Sequence, residues 1–238
     1  MYELILSHGR TEVFLHYASV IGDYQRVVEH WILEEEWEKA IGVLGGQSDL
    51  ELYYRYVPTL LRHSPTSTVD AFIRQPALDP LRLVPALLQL QHVPRDPMTP
   101  NQAIRYLDHL IFNAQNISST IHNLIITLYA SPAFGDDERP LLRFLSTVPK
   151  DIISGKPYYD LDYALRICKE NKRIGACVTL YAEMGLWENS VDLALQKGDL
   201  ELAKVNADKA EEEDVRLKKK LWLKIAKYVV QDKKDIRS

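Results

Sequence analysis

The stretch that decides the fold is YAEMGLWENSVDLALQKGDLELA, residues 181–203. It contains the end of one apolar helical segment, a turn at Gly185, a second segment and another turn at Gly198. Glycine readily adopts the left-handed backbone conformation with which helices commonly end, and small alanines let two helices approach closely. The stretch therefore predicts a helical hairpin with a turn at each end.

A similar order occurs near the start of the chain, which indicates a weak internal repeat. Tyr17-Ala18 precedes a turn at residues 22–24, just as Tyr181-Ala182 precedes the turn at Gly185. A third instance runs over residues 31–41, with Trp37 at the turn. We expect the aromatic residue in each instance to fill the gap between neighbouring hairpins.

Apolar residues recur with helical spacing along almost the whole chain. Two stripes are the clearest: Ile121, Leu124, Ile125, Leu128 and Tyr129, and Ile104, Leu107, Ile111 and Ala114. Both follow the i, i+3, i+4 spacing of an amphipathic helix. Because no alternation with a period of two is sustained, the sequence predicts an all-α protein without strands.

Three pairs of a capping residue and a proline mark helix starts in the middle of the chain. They are Ser64-Pro65, Asp79-Pro80 and Thr99-Pro100. The first residue offers a side-chain oxygen as cap, and proline suits the first helical position because its missing N–H would be unbonded there. These pairs predict helices near residues 66–75, 80–91 and 100–115, with Pro76, Pro94 and Pro97 helping to separate them.

Taken together, the breaks predict more than ten short helices joined by turns of a few residues. Short connections make consecutive helices antiparallel, and a bundle closes after about four of them. A longer series of similar hairpins favours lateral stacking. The predicted fold class is therefore an α-solenoid of antiparallel helical hairpins.

Composition restricts the function. The 238 residues carry 29 basic and 33 acidic side chains and a formal net charge of −4, which opposes a nucleic-acid-binding role. Cys168 and Cys177 do not form a C-x-x-C pair, so reduced buried thiols are favoured, with a disulfide between them as the alternative. No stretch has the length of a membrane span, and the start lacks the order of a signal peptide.

Several segments resemble the vacuolar protein sorting "eighteen" (Pep-three) family, a subunit shared by the HOPS and CORVET membrane-tethering complexes. The resemblance is specific at residues 180–195, 199–207 and 218–230, and extends to residues 2–10, 37–41 and 141–145. It is looser through residues 60–120. Family members consist of an N-terminal β-propeller, a long solenoid of the clathrin heavy-chain repeat type and a C-terminal RING zinc domain.

The resemblance implies that residues 1–238 are a single α-solenoid fragment that lacks the propeller and the RING. It also implies a non-catalytic scaffold role in endosome-to-lysosome or vacuole transport. The implied partners are other core subunits of the tethering complex, with SNAREs and Rab GTPases as indirect partners. The implied location is the cytoplasmic face of late endosome and vacuole or lysosome membranes, reached peripherally through the complex.

The search for catalytic chemistry assigns no catalytic, cofactor-binding or metal-binding residue. Ser154-Gly155-Lys156 lacks the preceding glycine and the following Ser or Thr of a phosphate-binding loop, so it is interpreted as a tight turn. The histidines at 8, 16, 30, 63, 92, 109 and 122 form no metal-binding motif. The acidic runs at residues 34–36 and 211–214 are interpreted as solvated helix ends.

The protein interface is not assigned from sequence. Lys218, Lys219, Lys220, Lys224 and Lys227 could contact anionic lipid or an acidic partner, but they flank an apolar stripe and are balanced by the acids just upstream. The four tryptophans are expected in the hairpin core. Two further hypotheses remain, a coat-type self-assembling solenoid and a helical-repeat RNA-binding module; self-assembly without other subunits would favour the first, and RNA binding at low salt the second. An enzyme on a helical fold comes last.

Overall fold

The computed structural model describes residues 3, 9–93, 96, 98–210 and 215–235. The expectations for most of residues 2–8, for Pro94 and Pro97, and for the acidic run 211–214 therefore lie outside the described residues. The chain divides into two compact units, residues 1–91 with 96–109 and residues 92–95 with 110–238.

The first unit is a succession of short helices. They are α1 (Thr11–Val20), α2 (Tyr24–Leu33), α3 (Trp37–Gly45), α4 (Leu50–His63), α5 (Pro65–Arg74), α6 (Pro80–Leu88) and α7 (Gln102–Asp108), with a 3₁₀ turn at Gln89–His92. From α1 to α5 each helix contacts the next one, and in addition α3 contacts α5, α4 contacts α6 and α5 contacts α7. Contacts with the next helix and the next but one are typical of stacked helical hairpins.

The second unit follows the same rule. Its helices are α8 (Ser119–Ala130), α9 (Arg139–Thr147), α10 (Leu161–Glu170), α11 (Ile174–Glu183), α12 (Trp187–Gln196), α13 (Leu200–Lys209) and α14 (Val215–Asp235). Helices α10 to α14 contact one another in succession, and α8 contacts α10, α9 contacts α11 and α12 contacts α14. Over the ranges given above there is no β-strand, only an isolated bridge between Lys150 and Pro157, and no helix is long and apolar enough to cross a bilayer.

One turn recurs five times. Its central residue has a left-handed φ of 56° to 78° and is Gly22, Glu35, Lys172, Gly185 or Gly198. In every case the N–H of the following residue donates to the carbonyl five positions back, at 2.8 to 3.0 Å. This bond closes a helix end around a left-handed residue. We call these five the left-handed turns.

The left-handed turns are evenly spaced. Within each series one follows the other after 13 residues, from 22 to 35, from 172 to 185 and from 185 to 198. The helices they join start at the same interval, at residues 11, 24, 37 and 50 and at residues 161, 174, 187 and 200. The predicted internal repeat is thus present, with a single helix and its turn as the repeating unit.

Two of the three predicted helix starts are confirmed. Helix α6 begins at Pro80, and the carboxylate of Asp79 accepts a hydrogen bond from the N–H of Leu81 at 3.0 Å. Helix α5 begins at Pro65, but the expected cap is wrong in its chemistry, because the side chain of Ser64 makes no cap bond. Its hydroxyl instead lies 3.2 Å from Glu38 Oε1 and links the helix start to α3.

The third start, at Thr99-Pro100, is wrong. Helix α7 begins at Gln102 with Asn101 as the cap, because the Asn101 Oδ1 atom accepts from the N–H groups of residues 103 and 104 at 3.0 and 3.3 Å. The Asn101 amide also donates to the carbonyl of Leu90 at 3.1 Å, which fixes its position. The predicted helix over 100–115 is broken as well, since a π-helical turn at His109–Asn113 follows α7.

The apolar stripes form the core as predicted, with one exception. Ile121, Leu124, Ile125 and Leu128 are buried and Tyr129 is half-buried. Ile104, Leu107 and Ile111 are also buried, but Ala114 is exposed because it follows the end of the π-helical turn. Helix α8 buries a second face too, since Ile126 is fully buried.

Candidate protein-interaction surfaces

The Ser154-Gly155-Lys156 segment, which partly resembles a phosphate-binding loop, lies between α9 and α10. The Asp151 carboxylate accepts hydrogen bonds from the N–H and the hydroxyl of Ser154 at 2.8 and 2.6 Å, and Gly155 has a φ of 68°. These contacts close a tight turn, as interpreted from the sequence. At its tip two adjacent apolar side chains project into solvent, Ile152 and Ile153, which are 98% and 97% exposed.

Potential metal ligands are dispersed. Among the residues that the structure describes, which exclude His8, no three His, Cys, Asp or Glu side chains group to hold a metal ion. His122 is fully buried, and its Nε2 lies 2.8 Å from the carbonyl oxygen of Asn116. Nε2 is therefore the protonated donor, and the buried Nδ1 has no partner. Burial lowers the pKa of His122, so it is a neutral, packed residue.

Lysines of α14 are engaged by acidic residues of the preceding helices. Lys220 Nζ lies 2.6 Å from Glu188 Oε1, and Lys224 Nζ lies 2.9 Å from both carboxylate oxygens of Asp192. Beneath them the predicted stripe is in place, with Leu221 and Ile225 buried and Leu217 and Val229 half-buried. The acids that balance these two lysines come from α12.

The four tryptophans are half-buried, in agreement with a packing role. The ring of Trp37 stacks on His63 with centroids 4.3 Å apart and an interplanar angle of 6°. Trp187 and Trp222 pack against the hydrophobic core of the second unit. Trp31 is also half-buried. None of the four is exposed enough to serve as an interface anchor on its own.

A buried arginine fastens the start of α11 to the end of α8. Arg173 is 5% exposed, and its guanidinium donates to the carbonyl oxygens of Ala130, Ser131 and Gly135 at 2.9, 2.9 and 2.7 Å. These carbonyls lie at a helix end, where acceptors lack partners within the helix. Sequence reasoning missed this role because Arg173 ends a charged run that is typical of a solvated turn.

The N-terminus of α11 is capped by a residue far away in sequence. The Oε2 atom of Glu138 accepts a hydrogen bond from the N–H of Ala176 at 3.0 Å. A Cβ atom on Gly175 would lie 2.9 Å from the same oxygen, so the glycine makes room for the carboxylate. A negative charge at a helix N-terminus is favourable. The glycine early in the helix was the only sequence signal for this contact.

A groove of about 530 Å³ runs along α11, between α10 and α12 and wholly within the second unit. Helix α11 contributes Ile174, Cys177 and Tyr181, which share one face of the helix at i, i+3 and i+7. We call this cavity the α11 groove. Sequence reasoning did not find it, because its lining comes from three helices.

The two sides of the α11 groove differ in charge. The α10 side carries Lys169 and the exposed Lys172, while the α12 side carries Asn189 and Asp192. Both oxygens of Asp192 are held by Lys224 at 2.9 Å. Because that carboxylate is already paired, the uncompensated charge of the groove is positive and lies on the α10 side.

An aromatic residue holds one of these cations in place. The ammonium of Lys169 lies 5.1 Å from the ring centroid of Tyr181, within the range of a cation–π contact. A hydrogen bond with the Tyr181 hydroxyl raises the pKa of Lys169. Lys169 is therefore a positive charge held beside Tyr181 in the groove lining.

The two cysteines are free and buried, which confirms the reduced-thiol prediction over the disulfide. Both also line the α11 groove. Burial raises the pKa of Cys168 to about 12 and that of Cys177 to about 11. They are thus neutral, weakly nucleophilic groups packed in the wall of the groove.

The first unit has a hollow of about 420 Å³ beside the end of α3. Gly42, Gly45 and Gly46 form one side, and Tyr53 and Arg74 lie on the other. Helix α3 ends at Gly45, as predicted from the paired glycines. Most of its lining is glycine backbone and aliphatic surface, and it offers fewer polar groups than the α11 groove.

Comparison with known proteins identifies the family. A family model described as "VPS18, alpha-solenoid domain, second half" matches residues 24–230. The vacuolar protein sorting-associated protein 18 homolog of Danio rerio is 37% identical over 100% of this chain and 24% of its own length. Vacuolar sorting protein 18 of Arabidopsis thaliana is 37% identical over 98% of this chain and 23% of its own length.

A third relative, vacuolar membrane protein pep3 of Schizosaccharomyces pombe, is 32% identical over 99% of this chain and 25% of its own length. The chain thus spans about a quarter of the length of the relatives it matches. These matches confirm the resemblance and the all-α solenoid fold class. Because the family model covers most of the chain, the chain belongs to the VPS18 family, within the second half of its α-solenoid domain.

Proposed function

We propose that the chain is a non-catalytic scaffold segment of a multisubunit membrane-tethering complex of the HOPS and CORVET type. The observation that carries the proposal is the stacking of short helices within each unit, in which most helices pack on the next one and several also pack on the next but one. Stacked repeats supply reach and a long lateral surface. Relatives named for vacuolar protein sorting and for the vacuolar membrane support the assignment to this pathway.

In this role the segment acts by geometry. Packed hairpins hold other core subunits at fixed distances, so that the assembly bridges endosomal and vacuolar or lysosomal membranes before fusion. SNAREs and Rab GTPases are contacted indirectly, and attachment to the cytoplasmic face of the membrane is peripheral, through the complex. Residues 1–238 are proposed as one α-solenoid domain that comprises both units.

The test is co-elution on a sizing column of the 238-residue chain with each purified core tethering subunit. We expect at least one subunit to shift the chain to an earlier volume, because the scaffold role requires a partner site on its surface. A helical-repeat protein of similar size serves as the negative control. If no subunit shifts the chain while full-length family members bind, the segment is a spacer without a partner site.

The same column separates the other functions considered. Elution of the chain alone at a volume that falls with rising concentration would favour a coat-type self-assembling solenoid. A shift by RNA at low salt would favour an RNA-binding module, which the net charge of −4 opposes. We expect neither shift.

A further inference from the structure

The α11 groove has the composition of a peptide-binding site. It combines apolar surface from Ile174, Cys177 and Leu193 with polar groups at its margins, including Asn189. Recognition sites of this kind bury an apolar side chain and fix its orientation with a few polar contacts. Both thiols stay protonated, so the apolar part carries no charge.

Charge restricts the occupant. Lys169 and Lys172 give the α10 side of the groove two positive charges. The guanidinium of Arg173 is held by three backbone carbonyls, and the carboxylate of Asp192 is paired with Lys224. The charge left to meet a ligand is therefore that of the two lysines, and a complementary ligand is acidic.

Lys172 also occupies a strained backbone position. Lys172 occupies the central position of a left-handed turn with a φ of 57°, where the next two turns of the series have Gly185 and Gly198. A residue with a Cβ is disfavoured there. Glu35 holds the same position in the first unit, so this strain does not by itself mark a site, but it makes Lys172 a position where stability and binding can be tested separately.

From these observations we infer that the α11 groove binds an acidic peptide segment of a partner protein, with one apolar side chain placed between α10 and α12. This inference rests on the scaffold role proposed above and assigns one partner site to it. The acidic residues contact Lys169 and Lys172, and the apolar residue lies against Ile174 and Leu193.

The probe is a short fluorescein-labelled peptide of Glu and Asp residues around one central Phe, followed by fluorescence anisotropy at low ionic strength. We expect saturable binding of this acidic peptide. A matched peptide in which Gln and Asn replace the acidic residues should not bind. Lys169→Glu with Lys172→Glu should weaken binding at least about tenfold, because two attractive charges are lost and two repulsive ones replace them. Both positions are exposed, and circular dichroism of the variant checks that its helix content is unchanged.

The matched control is Lys219→Glu with Lys227→Glu, which makes the same change in net charge at exposed positions of α14. When both chains are compared at about 0.15 M salt, where the screening length is about 8 Å, the affinity of this control should stay within about twofold of that of the unchanged chain. A second variant blocks the groove without changing the net charge. Asn189→Trp, at an exposed position of the α12 side, should abolish peptide binding because the indole fills the groove.

Lys172→Gly separates binding from stability. Removal of the Cβ relieves the left-handed strain, so the urea midpoint should rise, while loss of the ammonium should weaken peptide binding several-fold. If Lys172 served only the turn, Lys172→Gly would raise the urea midpoint and leave peptide binding unchanged.

The inference is overturned if the acidic peptide does not bind, or if both charge-reversal variants weaken its binding equally. Its failure is distinguishable from failure of the scaffold role. If a core subunit co-elutes with the chain, and equally with the Lys169→Glu, Lys172→Glu variant, the scaffold role stands without the groove. If the peptide binds but no subunit co-elutes, the groove stands and the scaffold role fails.

Discussion

His122 lies fully buried in α8, with its Nε2–H donating to the carbonyl of Asn116 at 2.8 Å. Burial disfavours the imidazolium and lowers the pKa of His122 in the folded chain. The unfolded chain takes up a proton near pH ~6.5, where the folded chain does not. We therefore expect the free energy of unfolding to be greatest above that pH and to fall as the pH drops through it and toward the lowered pKa.

The measurement is urea unfolding at two pH values, one above and one about a unit below the ordinary histidine pKa. His122→Phe should lower stability at both pH values, because the carbonyl of Asn116 loses its donor. The decrease on acidification should be smaller in this variant than in the unchanged chain by up to about 1.4 kcal/mol. His16→Asn, at an exposed position, should keep the full decrease; equal decreases in all three chains would contradict the prediction.

The residue contacts that fasten α11 show what the sequence could not predict. Arg173 donates to three carbonyls around the end of α8, and Glu138 caps the start of α11 across 38 positions of sequence. Neither residue differs from a solvated surface charge by its local neighbours. Their partners are backbone atoms, which leave no side-chain pattern for sequence reasoning to detect.

At the scale of elements, the left-handed turns give a pair of opposite predictions within the first unit. Glu35→Gly should raise the free energy of unfolding by about 0.5–1 kcal/mol, since glycine adopts the φ of 56° without steric cost. Gly22→Ala should lower it by about 1 kcal/mol. A Cβ at Gly22 would meet nothing within 4 Å, so the loss would report backbone strain alone.

Urea unfolding followed by circular dichroism measures both changes. Gly42→Ala is the control, because Gly42 lies within α3 at a negative φ and an added Cβ also meets nothing within 4 Å. Alanine there should be stabilising by the usual helix preference, about 0.5–1 kcal/mol. A destabilising effect of Glu35→Gly would show that the Glu35 side chain stabilises the turn by a contact that exceeds the strain.

Sequence reasoning predicted the helices well and their exact joints less well. Glycine revealed the turns at Gly22 and Gly185, but Glu35 and Lys172 adopt the same conformation without any glycine signal. The predicted start of α7 at Thr99-Pro100 is wrong because the proline signal is weaker here than the cap formed by Asn101. The Asn101 side chain accepts hydrogen bonds from the helix and donates one to the carbonyl of Leu90. The Tyr-Ala pairs were also out of register: Tyr17 precedes its left-handed residue by five positions and Tyr181 by four.

At the scale of the whole molecule, the two buried thiols report how often the second unit opens. We expect a thiol-reactive chromophoric disulfide to react slowly with the folded chain, because Cys168 is 0% and Cys177 3% exposed and burial raises the pKa of both. In urea both thiols should react at once. The absorbance of the released thiolate gives rate and stoichiometry.

A serine variant of each cysteine shows which thiol gives each part of the absorbance signal. The rate of thiol modification should rise at the same urea concentration at which helix content is lost. Fast reaction of Cys177 in the folded chain would instead show that the reagent reaches this thiol through the α11 groove without loss of helix. The fold class was predictable from the helical spacing and the breaks along the whole chain, and the family chiefly from residues 180–230, since both depend on contiguous sequence. The α11 groove was not, because it exists only once α10, α11 and α12 are packed.

The even spacing of the left-handed turns sets the increments in which such a chain can be lengthened. One helix with its turn takes 13 residues, and the direction of the chain reverses with each helix. Adding or losing a pair of helices leaves the direction of every later helix as before, whereas adding or losing a single helix reverses it. A solenoid of this kind therefore changes its length by whole helical hairpins of 26 residues, twice the 13-residue interval, and any other change requires a different connection between helices.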